Sequence, residues 1–113
     1  MNKDMRSFVT YNFSGSSAIA ASAPINSKNA KVALVTIHFS ANPGIADLTI
    51  TLNSSLGANY DTILAKQAMS GVVDFVWPLS GNEYILNNGD SIDIAFSNPG
   101  AATYGIAVTI EAL

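Results

Sequence analysis

Asp47-Leu48-Thr49-Ile50-Thr51-Leu52-Asn53 decides the fold class. Apolar residues alternate strictly with threonines, so in an extended chain Leu48, Ile50 and Leu52 share one face and Thr49 and Thr51 the other. The β-branched side chains at Thr49, Ile50 and Thr51 favour the same half-buried strand. Upstream, Lys31 to Phe39 repeats the pattern, with Val35, Ile37 and Phe39 on one face and Thr36 and His38 on the other. Ser40-Ala41-Asn42-Pro43-Gly44 then stops it.

Downstream, the loop Asn53 to Asn59 leads into Tyr60 to Gln67, whose periodicity fits a strand or a short helix, with Thr62 and Ile63 favouring the strand. Val72 to Trp77 places Val73, Phe75 and Trp77 on one face and ends at Pro78, which cannot donate to a ladder. Glu83 to Leu86 reads as a short strand, and Asn87-Asn88-Gly89-Asp90 as the turn of a β-hairpin. Ile92, Ile94 and Phe96 then alternate with Ser91, Asp93 and Ala95, and Ser97-Asn98-Pro99-Gly100 turns the chain again. Thr103 to Glu111 closes the series, with Ile106, Val108 and Ile110 inward and Ala107, Thr109 and Glu111 outward.

About seven short strands after residue 30, separated by Gly, Pro, Asn and Ser loops, predict an all-β fold: an antiparallel β-sandwich, jelly-roll-like in its winding. Residues 1–30 differ, being rich in Ser and Ala, with strand character only at Ser7 to Phe13 and Ala18 to Ala23. They are expected to form an extended N-terminal arm that pairs with its own sheet edge or exchanges a strand with a neighbouring subunit, leaving 31–113 as the sandwich domain.

A length of 113 residues suits one domain with one core, and 49% hydrophobic against 12% charged residues argues against disorder. Five Lys plus Arg against eight Asp plus Glu give a net charge of -3 with no basic stripe, which disfavours nucleic acid and anionic membranes as partners. Met1 to Arg6 is not followed by the apolar run of a secretory signal, and no stretch approaches the ~20 residues that cross a bilayer as a helix. Without cysteine there is no disulfide, thiol nucleophile or zinc knuckle.

Chemistry has few candidates. His38 is the only histidine, so one chain offers no His pair for a metal and no second imidazole for a relay, and its outward strand position favours a solvated or interface-facing ring. Serines and aspartates are plentiful, but no Gly-x-Ser-x-Gly elbow accompanies them. Asp90 and Asp93 lie an odd number of residues apart and so point to opposite faces; the expected roles are turn completion for Asp90 and outer-face solubility for Asp93. Asp47 and Asp61 lack the spacing of a calcium loop, and no glycine-rich nucleotide cradle is present. Trp77, Tyr60, Tyr84 and Tyr104 are the aromatics from which a sugar-stacking platform would be built, although Trp77 continues an inward row and Tyr104 beside Gly105 fits close approach to another backbone. Asn12-Phe13-Ser14 and Asn53-Ser54-Ser55 match the glycosylation triplet and carry no weight without a secretion signal. No catalytic, cofactor-binding or metal residues, and no cofactors, are therefore assigned.

The surface says more. Outward positions on the best strands are Thr, Ser and Ala, so the outer faces are short-chained and nearly uncharged, whereas monomers usually blunt their sheet edges with charge. Only five positive residues are present, three of them before residue 30. Membership of an oligomer or lattice accounts for that shortage.

The run Leu48 to Leu64, then Trp77-Pro78, Tyr84-Ile85-Leu86, Asn88 to Ile94 and Thr103-Tyr104-Gly105-Ile106, resembles a group of small tailed-phage virion structural proteins, over roughly residues 31–113. The resemblance implies a non-enzymatic β-sandwich located in the virion, as a capsid decoration or stabilising subunit, partnered by capsid or tail proteins and by copies of itself. It supplies no site residues. A carbohydrate-binding or tail-tip adhesion module is the alternative expectation.

Overall fold

The computed structural model describes residues 7–77 and 85–112. Eight strands occur among them: β1 Ser7–Gly15, β2 Ile19–Pro24, β3 Ala30–Phe39, β4 Asp47–Asn53, β5 Thr62–Ala68, β6 Asp74–Trp77, β7 Ser91–Phe96 and β8 Tyr104–Ala112, with one 3₁₀ turn at Ala58–Tyr60. They form two four-stranded antiparallel sheets, ordered β1-β8-β3-β6 and β2-β7-β4-β5. The sandwich predicted from alternation is thus present. Its pairs are nested: β1 with β8, β2 with β7, β3 with β6 and β4 with β5. Such nesting results when one long antiparallel hairpin is folded over itself, with β8 and β7 completing the sheets beside β3 and β4.

The inward rows meet as period-2 burial requires. Val35 and Ile37 of β3 lie opposite Val108 and Ile106 of β8, and Ile50 of β4 lies opposite Ile94 of β7, all of them buried. Burying each such side chain stabilises the fold by about 1.5–3 kcal/mol relative to exposure. Phe39 packs edge-on against Phe96 from the other sheet, with ring centroids 5.6 Å apart. Ile25, Met69 and Leu86, all fully buried, come from connections between strands and close the ends of the core.

Three expectations change. Residues 7–24 pair with their own sheets, one of the two expected modes, but as integral strands at an edge of each sheet and not as an arm beside a 31–113 domain, because Val9, Tyr11 and Phe13 continue the inward row of β8 and Ile19, Ala21 and Ala23 that of β7. Small alanines in β2 weakened the sequence signal without weakening the pairing. Asn88-Gly89 does turn the chain, with Gly89 at φ 96°, but the turn does not join paired strands. Leu86 exchanges backbone hydrogen bonds with Ala30 at 2.7 and 3.1 Å, whereas β7 lies between β2 and β4 in the other sheet. The turn therefore carries the chain from one sheet to the other; turn chemistry is local and does not choose the partner. Finally, strict alternation fails in β3, where an irregularity between Val32 and Leu34 rephases the strand so that Ala30 and Val32 are buried along with Val35, Ile37 and Phe39.

The Tyr60 to Gln67 ambiguity resolves into a 3₁₀ turn ending at Tyr60 followed by strand β5. Phe75 and Trp77 are half-buried against the core as expected, but Val73 precedes the strand and is exposed. Pro78, Glu83 and Tyr84 lie outside the described residues.

Candidate interaction surface

The outer face of the β1-β8-β3-β6 sheet is built from the residues between the inward rows. Register sets them in cross-strand lines: Phe8, Glu111 and Lys31; then Thr10, Thr109 and Leu34; then Asn12, Ala107, Thr36 and Val76; then Ser14, Gly105, His38 and Asp74. The two middle lines contain no charge. Thr10 and Thr109 share a hydroxyl hydrogen bond of 2.9 Å across the strands, while Leu34 and Val76 stand 40% and 45% exposed. Among the described residues charge is confined to the two outer lines, where each carboxylate has a partner. At one end Lys31 Nζ lies 3.9 Å from Glu111 Oε1. At the other, His38 Nδ1 and Asp74 Oδ1 share a 2.6 Å hydrogen bond. The centre is flat, short-chained and half apolar, a surface that desolvates at low cost against a protein partner.

Glu111 was expected outward, and its register is outward, yet it is only 4% exposed. Phe8 and Lys31 flank it across β8. His38 is outward and exposed as predicted; its partner Asp74 was missed because β3 and β6 pair only in the tertiary structure.

The opposite sheet presents a different outer face. Asp93 is at its centre, its Oδ1 accepting from Ser22 Oγ at 2.7 Å and Ser91 Oγ at 2.9 Å, and its Oδ2 from Asn53 Nδ2 at 3.2 Å. Neighbouring hydroxyls thus solvate the carboxylate locally, in keeping with the outer-face role expected of it. Asp90 points the other way and is 5% exposed. Burial alone would push its carboxyl up, but the backbone N–H groups of Ser55 and Asn87 and the Ser55 hydroxyl outweigh that and hold it below the ordinary aspartate range. It ties the turn to the β4–β5 loop and does not face Asp93.

The remaining candidates do not converge. Asp61 Oδ1 accepts the Ser54 N–H at 2.8 Å, and Asp47 Oδ2 lies 3.6 Å from Lys66 Nζ. Among the described residues no cluster of three or more His, Cys, Asp or Glu side chains is placed to hold a metal ion. Tyr60 is exposed on the 3₁₀ turn, Trp77 lies half-buried on an inward row, and Tyr104 packs on Phe39 at 6.3 Å, its hydroxyl 3.0 Å from where a Cβ on Gly15 would sit. Tyr104 thus lies over Gly15, whereas Gly105, the glycine from which close backbone approach is expected, has nothing within 4 Å of where its Cβ would sit. Tyr84 lies outside the described residues, and the other three aromatics share no platform. Of the two glycosylation triplets, Asn12 is an outward position of β1 and Asn53 engages Asp93.

No protein-family model matches the chain, and no curated protein matches it.

Proposed function

We propose that this chain is a non-enzymatic structural subunit of a phage virion, a capsid decoration protein that binds a repeated protein surface through the outer face of the β1-β8-β3-β6 sheet. The observation that carries the reading is the uncharged centre of that face, with Leu34 and Val76 half-exposed, Glu111 beside Lys31 at one end and Asp74 hydrogen-bonded to His38 at the other. The nested strand order supports it as well: we read it as a jelly roll, an architecture that serves capsid and lectin domains. The resemblance of residues 31–113 to tailed-phage virion proteins points the same way. Each bound copy would stabilise the assembled lattice over its dissociated subunits by mass action, since the bound state alone buries this face.

The test has two steps. Gradient-purified virions of the phage that encodes the chain are examined by mass spectrometry, and stoichiometric recovery of the chain is expected. Purified Leu34→Lys/Val76→Lys protein is then added to particles lacking the chain. Loss of co-sedimentation, with a thermal midpoint within a few degrees of wild type, is the expected result. Absence of the chain from virions, or undiminished binding by the double variant, overturns the reading. The carbohydrate-binding alternative gains no specific support, since of the described candidates Tyr60, Trp77 and Tyr104 only Tyr60 is largely exposed.

A further inference from the structure

The two flanks of the sandwich differ in charge. On one flank the edge strands are β5, which carries Lys66, and β6, which carries Asp74. On the other they are β1 and β2, and from Ser7 to Pro24 there is no Asp, Glu, Lys, Arg or His at all. β1 is nine residues long, Ser7-Phe8-Val9-Thr10-Tyr11-Asn12-Phe13-Ser14-Gly15, rich in aromatic and β-branched side chains, and free of proline. It lacks several devices that normally keep a sheet edge from pairing: it is not short, charged, interrupted by Pro, or bulged in its register with β8, and no described strand pairs with its outer side. Its Phe8 and Val9 are 58% and 50% exposed, although Val9 faces inward opposite Ile110.

We infer that the free edge of β1 pairs antiparallel with β1 of a second copy across a two-fold axis, joining two four-stranded sheets into one continuous sheet of eight strands. The inference rests on the reading of the chain as an assembly subunit and names one surface of that assembly. The absence of charge from this edge fits a second copy as the occupant. A two-fold axis sets an edge against itself, so any charged edge meets its own like charges, and this edge has none to repel. The opposite flank, with Lys66 and Asp74, is the one guarded against such pairing.

The register follows from the pleat. Inward residues must meet inward residues across the axis, so paired positions have the same parity. Pairing all nine residues then sets Tyr11 against Tyr11 of the second copy. Phe13 falls opposite Val9, an aromatic–aliphatic pair of the kind that stabilises antiparallel strands. On the outer face Thr10 falls opposite Asn12, so the two candidate docking faces become one uninterrupted surface.

Sedimentation equilibrium of the full-length protein over a concentration series is the test, with circular dichroism confirming the fold of each variant. A dimer is expected for the wild type. Thr10→Lys/Asn12→Lys, which sets lysine against lysine twice across the axis, should weaken dimerisation by more than about tenfold. Thr10→Glu/Asn12→Lys, which sets glutamate against lysine in the same two places, should restore it. A wild-type monomer at every concentration overturns the inference, as does a dimer that both variants leave unchanged or that both variants abolish equally. None of these measurements involves a virion, so a wild-type dimer absent from virions would sink the proposed function and leave the β1 pairing standing.

Discussion

Ser55 donates its backbone N–H to Oδ1 of Asp90 at 2.8 Å, while the Asn87 N–H reaches Oδ2 of the same carboxylate at 2.9 Å. One side chain thereby fastens the β4–β5 loop to the turn that delivers the chain into β7. The backbone at this point is fastened too, since Ile25 N–H donates to the Asp90 carbonyl at 2.8 Å and Gly89 N–H to the Ile25 carbonyl at 2.9 Å. Three connections therefore meet at Asp90.

The pH dependence follows from this geometry. Because the folded state holds the Asp90 carboxyl below its ordinary value of 3.8, its contribution is complete above that value and is lost as pH falls through the lower folded one. Asp90→Asn should cost about 1–3 kcal/mol at pH 7, because an amide NH2 then faces a backbone N–H donor. Urea unfolding of both proteins at neutral pH and at pH 3 should show the difference narrowing in acid. A gap that stays constant would place the stabilisation elsewhere.

Asn98 does the corresponding work at the other end of the sandwich. It is 4% exposed and sits at φ 53°. Its Nδ2 donates to the carbonyls of Ser17 and Ala102, each at 3.0 Å, and its Oδ1 accepts the Ala102 N–H at 3.2 Å. Asn98→Ala should lose these bonds while keeping the left-handed backbone strain, a cost of about 2–3 kcal/mol; Asn98→Gly relieves the strain and should lie between it and wild type. Chemical denaturation of the three proteins checks that order.

Two glycines should respond differently to alanine. At Gly100 a Cβ would lie 2.6 Å from the Asn42 carbonyl oxygen and 2.9 Å from Pro43 backbone atoms, none of which is a flexible side-chain tip. Gly100→Ala should therefore force the β3–β4 and β7–β8 loops apart and destabilise by about 1–3 kcal/mol. Gly105, on the outer face of β8, has nothing within 4 Å of that position, so Gly105→Ala should stay within about 0.5 kcal/mol of wild type. Thermal denaturation of the pair is sufficient; equal shifts would show that loop packing at Gly100 is unimportant.

Trp77, the single tryptophan, is half-buried against the core. Its emission should be blue-shifted from that of free tryptophan, only partly quenched by acrylamide, and unmoved by mono- or disaccharides. A sugar-dependent change would place a ligand at Trp77 and revive the carbohydrate-binding alternative.

Strands β4, β7 and β8 were legible residue by residue, because Leu48, Ile50, Ile92, Ile94, Ile106 and Val108 alternate with polar or small neighbours and one-sided burial requires that alternation. β1 and β2 were visible only as strand character. Val9 and Tyr11 alternate with Thr10 and Asn12, but serines and alanines dilute the pattern, and an arm and an edge strand have the same local signature. The uncharged outer positions of the candidate surface could be read as well, since a residue's polarity and parity both belong to the sequence.

Which strands lie side by side was not local information. Asp74 reaches His38 only because β6 pairs with β3, and Asp90 reaches Ser55 only because the β4–β5 loop folds over the turn into β7. Asn88-Gly89 specified a turn, but the sheet it led into was settled by where the apolar row of β7 could be covered, between those of β2 and β4. By itself the sequence determined the class of fold, the inward rows and the scarcity of surface charge, because these follow from side-chain period and composition. Strand order, the clamps at Asp90 and Asn98, and the gathering of uncharged positions into one face were decided by tertiary structure, because each depends on contacts between residues far apart in the chain.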